Sequence, residues 1–474
     1  MIFMKMYWLI FRKDGKLNHI YSNKGENIMG LDKNRAFDVL KKISFERIAG
    51  TEKELECAHI LEEECKKVGV DVVIEDFEID TPEIYEAKLT VTKPETVSFH
   101  CIGIGRSGTT GDEGISGPLV YVENGMDANL LDVKGKIVLL TGGGPDVMEK
   151  LKKAGAIGYI STHGSLFDTE EMIPELRTRN AFKKPGDDTN LPGVVIHIID
   201  AQKLLRMYPE EVNIVLKQDG DKKSTSHNVI ATIPGTDLPE EIVAYSAHFD
   251  SVIYSSGAWD NGTGSITILE LMHHFLANPP RRTVKFIWCG SEEIGLCGSK
   301  AYCEKHKDEL EKHLFNINVD MTGTLLGFDQ AVCTCDDSVA KYIEFLGKLE
   351  GFPISSKVDI YSSDSSSFAG AGVPAVTFAR LQSRGGAEIH SRHDIIDHLD
   401  PTKFIQTVEF MAKFSDQIVN AKVFPVIRQI PKELSEKMNR FKKMMEDAKK
   451  AEEAKKAAEG KKEEPKEEKK EETK

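Results

Sequence analysis

The chain has 474 residues, 40% of them hydrophobic and 29% charged, and a formal net charge of −14. That length predicts two or three domains with enough apolar content for a true core. The acidic balance argues against nucleic acid or an anionic membrane as the principal partner. The eight cysteines form no CxxC pair and show no disulfide-framework spacing. They are expected to be reduced thiols in a cytoplasmic protein, with secretion left open.

In chain order, the apolar opening at 1–11 covers about half a membrane span and lacks a small-residue cleavage site, so no membrane segment is expected. The run Lys24-Gly25-Glu26-Asn27-Ile28-Met29 can be encoded by AAA GGA GAA AAT ATT ATG, a purine-rich ribosome-binding site ahead of a start codon. Residues 1–28 are therefore either an ordinary extension or lie before a true start at Met29. Residues 35–79 read as helix, turn, helix, strand. Leu55, Ala58, Ile60 and Leu61 give the second helix its face, Gly69 stops it, and 72–79 form the strand.

Residues 101–222 differ in texture. Short apolar runs at 118–122, 136–140, 158–160 and 194–199, separated by Gly, Asn and Asp, predict an inserted, mainly-β domain. A helix is expected at 146–154. The glycine run 142–144 lacks the spacing of a phosphate loop and reads as a turn. From about 224, strands at 228–233, 242–247, 283–289, 315–320 and 374–379 alternate with helices at 264–276, 338–349 and 402–418. That alternation predicts an α/β fold with a mixed, mostly parallel sheet and helices on both faces. The two stretches 29–100 and 223–424 would form this discontinuous domain. The tail 425–474 is rich in Lys, Glu and Ala and is expected to begin helical and then dissolve into disorder.

Sites in open α/β sheets lie beyond the carboxyl ends of strands, and the chemistry of this sequence gathers there. The strand at 242–247 runs into His248 and Asp250, the one at 283–289 into Glu292-Glu293, and the one at 315–319 into Asp320. After 374–379 a loop brings His390. Asp260 precedes the glycine-rich helix start Asn261-Gly262-Thr263-Gly264. A lone His or Glu-Glu pair is ordinarily a surface feature. Adjacent glutamates directly after a buried strand repel one another unless cations neutralise them. Two His, two Asp and one Glu form an N/O donor set suited to zinc.

The order His-x-Asp, Asp-Asn-Gly-x-Gly, Glu-Glu, Asp, His-Ser-x-x-Asp resembles the co-catalytic di-zinc aminopeptidases, a family that also contains glutamate carboxypeptidases. The resemblance covers about 35–420, and the segment 101–222 resembles the protease-associated domain inserted in many members. It implies two zinc ions, with cobalt or manganese as alternatives. Asp260 would bridge them, His248 and Asp320 complete one, and Glu293 and His390 the other. Glu292 would be the general base, Asp250 would orient His248, and the Asp260–Asn261 peptide would be cis. A water bridged by the metals would attack the N-terminal peptide bond of a peptide, with Glu292 passing its proton to the leaving amine.

Many relatives carry Ser-Asp-His where this chain has Ser363-Asp364-Ser365, which puts a substrate contact in doubt. Tyr361, Asp364 and Trp259 are candidates for the substrate pocket. Tyr361 would steady the oxyanion or simply pack, and Trp259 would wall the pocket or fill the core. His393 rivals His390 as a ligand. A carboxypeptidase or dipeptidase on this scaffold would need a cationic clamp, for which Arg380 and Arg384 are candidates. A non-catalytic, receptor-like relative would be expected to have broken ligands, and every ligand position here is filled. Peptides are the expected partners, with neither nucleic acid nor membrane, and self-association is left open.

Overall fold

The computed structural model describes residues 30–439 apart from 143–145, 178, 182–190, 383–384 and 386. The N-terminal stretch 1–28, most of the glycine run 142–144, Arg384 and the tail beyond 439 lie outside the described residues. The tail begins with a helix at 432–439. No helix among the described residues is long and apolar enough to cross a membrane.

Ten strands form the main sheet. From one edge the order is Ile354–Val358, Gly327–Thr334, Ala375–Gln382, His313–Val319, Leu238–His248, Arg282–Cys289, Glu211–Ile233, Asp71–Lys93 and Val97–Phe99, with Ile115–Gly117 also pairing to Glu211–Ile233. The sheet is mixed, and its parallel part is the centre: the four strands from Ala375–Gln382 to Arg282–Cys289 run parallel. Such strands must be covered on both faces. On one face pack the helices Lys33–Ile43, Gly264–Ala277, Asp337–Glu350 and Pro401–Val419, which share one large apolar core. On the other, Cys297–Lys305 and Ser365–Gly370 close a smaller core around Ile287, Tyr302 and Phe368. The Gly264–Ala277 helix is buried along almost its whole length, which explains why it reads as apolar all round rather than amphipathic.

Two strands are far longer than the sequence suggests. The strands expected at 72–79 and 228–233 are the inner ends of a ribbon, Asp71–Lys93 against Glu211–Ile233, each 23 residues long. Pro82 and Gly220 lie inside the ribbon, and the ladder accommodates this stretch through register shifts between Pro82, Ile84 and Glu86. The outer half of the ribbon (Leu89, Val91, Val212, Ile214, Leu216) packs into a second core with a six-stranded sheet. That sheet runs Leu119–Tyr121, Ile137–Leu140, Gly158–His163, Gly193–His197, Ile102–Gly105, Arg179–Asn180. Its first four strands are parallel, so it needs helical crossovers. The strand expected at 194–199 ends at His197, whose ring accepts the Ile199 N–H and caps the helix Ile198–Arg206.

Arg47 ties the first described helix to the carboxyl edge of the parallel strands. It is fully buried and donates to the carbonyls of Phe249, Ile43, Phe45, Ser256 and Gly257. Two of these acceptors, Ser256 and Gly257, lie in the loop that runs from Asp250 toward Asp260, and Phe249 immediately precedes it. Arg47→Met keeps the aliphatic volume but removes five hydrogen bonds; the Phe45, Phe249 and Ser256 carbonyls lose this donor, while Ile43 O and Gly257 O keep the N–H groups of Phe45 and Gly262. It is expected to cost about 3–5 kcal/mol, read as a shift in the urea midpoint. A loss under about 1 kcal/mol would contradict this account of the loop.

Candidate active site

Every proposed ligand sits at the carboxyl end of the parallel strands. His248 ends Leu238–His248, Glu292 and Glu293 follow Arg282–Cys289, Asp320 follows His313–Val319, and His390 lies in the loop beyond Ala375–Gln382. Asp260 comes from the irregular turn Ala258–Thr263, where the Asp260–Asn261 peptide is cis. The Asn261 side chain locks this turn to the neighbouring strand. Its amide donates to Val319 O (2.8 Å), and its oxygen accepts from Gly264 N and Met321 N (2.9 Å each). The second glycine of the motif is required at this point: a methyl on Gly264 would lie 2.2 Å from Asn261 Oδ1 and 2.6 Å from Val319 O.

Asp260 divides its carboxylate between two clusters. Oδ1 lies 3.2 Å from His248 Nε2, which is also 3.8 Å from Asp320 Oδ1. Oδ2 lies 3.0 Å from His390 Nε2, which is 3.0 Å from Glu293 Oε1. Within each trio, His248–Asp260–Asp320 and Asp260–Glu293–His390, one potential ligand atom per residue falls within 4.8 Å of the others. His393 joins neither trio.

Asp250 does more than stand behind His248, whose Nδ1 is 3.4 Å away. Its two oxygens accept the backbone N–H groups of Glu292 and Glu293, at 3.0 and 3.1 Å. One buried carboxylate thus fixes both the imidazole and the paired glutamates. Asp394, noted in the sequence only as a spacing mark, plays a matching part. It accepts from Trp259 N (2.7 Å) and Asp260 N (3.1 Å) and so holds the Asp260 backbone from behind. Burial pushes the Asp394 carboxyl up to about 7, against those two N–H donors, with the Asp260 charge adding to the rise.

The electrostatics of the cluster call for cations. Burial raises Glu292 well above the usual carboxylate range; His248 opposes this, while Asp364, Asp320 and Glu293 push it further. Burial works against a charged His248, but Glu292, Asp250, Asp260 and Asp320 together hold it well above an ordinary imidazole. Burial likewise works against His390, but Asp260 and Glu293 raise it to about 9. The Arg177 guanidinium 2.5 Å from His390 Nδ1 opposes the fully protonated ring, because that contact needs a lone pair there and a guanidinium only donates. Asp320 Oδ1 and Glu293 Oε1 are buried without a hydrogen-bond partner among the described residues. Buried oxygens of this kind are costly unless something charged fills the space between them. The donors are one imidazole and two carboxylates on each side, and they fit two zinc-like ions.

The pocket candidates separate. Tyr361 is partly exposed, and burial followed by the charges of Asp320, Asp260 and Glu292 keeps its phenol protonated far above its ordinary range. Asp364 and Trp259 are corrections to the expected pocket. Asp364 is 0% exposed, and Trp259, 2% exposed, packs in the main core, so neither offers a face to a substrate. Burial pushes Asp364 up to about 6. Arg380, a candidate clamp, is buried and spent on Asp329 (2.5 Å) and Thr324 O (2.7 Å). Among the described residues, the guanidinium that reaches the site is Arg177, from the segment leading into the strand Arg179–Asn180. No sequence signal marks it.

Comparison with known proteins agrees with this geometry. Residues 228–415 match the model of peptidase family M28. Aminopeptidase YwaD of Bacillus subtilis is 30% identical over 281 residues, covering 59% of this chain and 58% of that protein. Carboxypeptidase Q of Xenopus laevis is 26% identical over 348 residues, covering 70% of this chain and 73% of its own. Among solved structures, BSAP, a zinc aminopeptidase from Bacillus subtilis, superposes with a TM-score of 0.68 at 24% identity, over 84% of this chain and 98% of that one. The fold is therefore shared across both sheets. With the motif order and the paired trios at one sheet edge, residues 228–415 carry the likeness to peptidase family M28.

Proposed function

We propose that this chain is a two-zinc aminopeptidase that removes the N-terminal residue of peptides. The observation that carries the reading is the Asp260 carboxylate, whose two oxygens each face a separate imidazole–carboxylate pair. His248, Asp260 and Asp320 would hold one ion, and Asp260, Glu293 and His390 the other. Ions bound there would acidify the attacking water and polarise the scissile carbonyl. Glu292, free of both trios, takes the proton of that water and hands it to the leaving amine. Asp250 keeps Glu292 and Glu293 in register for their different tasks. The Tyr361 phenol, kept protonated by its surroundings, donates to the oxygen of the tetrahedral intermediate.

Residues 101–222 are read as a protease-associated insert that borders the site, and the eight free cysteines favour a reducing compartment. The likeness to carboxypeptidase Q supports a second reading, a carboxypeptidase or dipeptidase on the same scaffold. Aminoacyl-p-nitroanilides and N-blocked peptides decide between them. Cleavage of free amines with blocked substrates untouched is the expected result. Turnover confined to N-blocked peptides bearing a free carboxylate would replace the aminopeptidase by the carboxypeptidase.

A further inference from the structure

The paired glutamates are reached through a turn that a serine rarely makes. Gly290 and Ser291 carry the chain out of the strand Arg282–Cys289, and Ser291 has φ 57°, in the left-handed region. A residue other than glycine keeps such a backbone only where its surroundings over-determine it. Ser291 is fully buried, and its hydroxyl donates to Ser226 Oγ at 2.7 Å. The Ser226 hydroxyl, also fully buried, donates in turn to Glu54 Oε1. Three residues far apart in the chain thus form one run of hydrogen bonds that ends on a carboxylate.

Glu54 lies in the first turn of the helix Glu52–Lys67, which Thr51 caps. Its Oε2 accepts the Gly50 N–H at 2.8 Å, the usual work of a glutamate at a helix start. That work needs one oxygen and no burial. Glu54 is nevertheless fully buried, and its other oxygen lies directly beneath the turn: a methyl on Gly290 would fall 2.4 Å from Oε1. Bonds that end on a charged acceptor are shorter and stronger than those between neutral hydroxyls. Asn228 holds the same turn one residue earlier. Its Oδ1 accepts the Gly290 N–H (3.2 Å), and its amide donates to Gly298 O (2.9 Å). Just beyond, Asp250 accepts the N–H groups of Glu292 and Glu293. The backbone is therefore fixed immediately before Glu292 as well as at it.

We propose that Glu54, Ser226 and Ser291 are positioning residues for the general base: the two hydroxyls, anchored on the Glu54 carboxylate, hold the left-handed turn that aims Glu292 at the attacking water. The inference rests on the aminopeptidase reading above, in which Glu292 takes the proton of that water. None of the three belongs to either ligand trio. Their contribution therefore falls on the chemical step and not on metal content. The helix Glu52–Lys67, remote in sequence from every candidate ligand, thereby acts on the site.

The test compares zinc-loaded wild type, Ser291→Gly, Ser226→Ala and the double variant by steady-state kinetics on an aminoacyl-p-nitroanilide, metal analysis and amide hydrogen exchange. Glycine adopts the left-handed backbone freely, so Ser291→Gly removes the hydroxyl without straining the fold. Each single variant is expected to keep KM and metal content while kcat falls about 10–100-fold, as for a slightly misplaced reacting group. The double variant should lose no more than the worse single one, since both substitutions break the same run. Exchange in the peptide spanning 289–297 should quicken in all three. Single variants with kcat within about twofold of wild type, or exchange as slow as in wild type, overturn the positioning role and leave Glu292 as the base. A fall in kcat matched by loss of metal overturns it as well. Metal-loaded wild type that cleaves no free-amine substrate overturns both this proposal and the aminopeptidase reading.

Discussion

Glu292→Gln is expected to bind both metals as the wild type does and to lose about 10²–10⁴ in kcat. The substitution preserves shape, and the backbone that Asp250 holds at 3.0 Å is untouched. What disappears is the acceptor for the proton of the attacking water. Glu292 is separate from both trios, so the loss should fall on kcat and not on metal content. It is checked by steady-state kinetics with metal analysis of the same sample. A variant within about tenfold of wild type would remove Glu292 from the chemistry.

Asp260→Ala should be more damaging still. It takes one ligand from each trio at once, leaving each half with a single imidazole and a single carboxylate. Both ions are expected to be lost at ordinary metal concentrations, and kcat/KM should fall by about 10⁴-fold or more. The fold should persist, because the backbone N–H groups of Trp259 and Asp260 remain on Asp394 and the Asn261 side chain still locks the turn. The melting temperature of the metal-stripped variant should therefore lie close to that of metal-stripped wild type. Retention of two ions in Asp260→Ala would refute the shared carboxylate.

The catalytic edge was legible because buried parallel strands leave a plain trace: a short apolar run ending abruptly in His, Asp or Glu. His248, Glu292, Glu293 and Asp320 each follow such a run, and the structure brings His248, Glu293 and Asp320 together with Asp260 and His390. The double duty of Asp250 and the support from Asp394 were hidden, since both act on backbone N–H groups that no side-chain pattern announces. The ribbon was misread for a local reason. Pro82 and Gly220 carry the strongest turn propensities in their stretches, and only cross-strand pairing overrides them. Trp259 beside Asp260 looked like a pocket wall, but the irregular turn points its ring inward to the main core. Arg177 could not be found from sequence at all. It lies 116 residues from Glu293 and 213 from His390, in a segment with no periodicity, and only the docking of the two halves brings it to the site.

The central claim is a centre of two ions that share Asp260. Metal content at saturating zinc, measured on wild type, His248→Ala, His390→Ala and Asp260→Ala, tests it most directly. The account predicts two ions per wild-type chain, one in each histidine variant and none in Asp260→Ala. A wild-type chain that saturates at one ion, or histidine variants that each keep two, would contradict it.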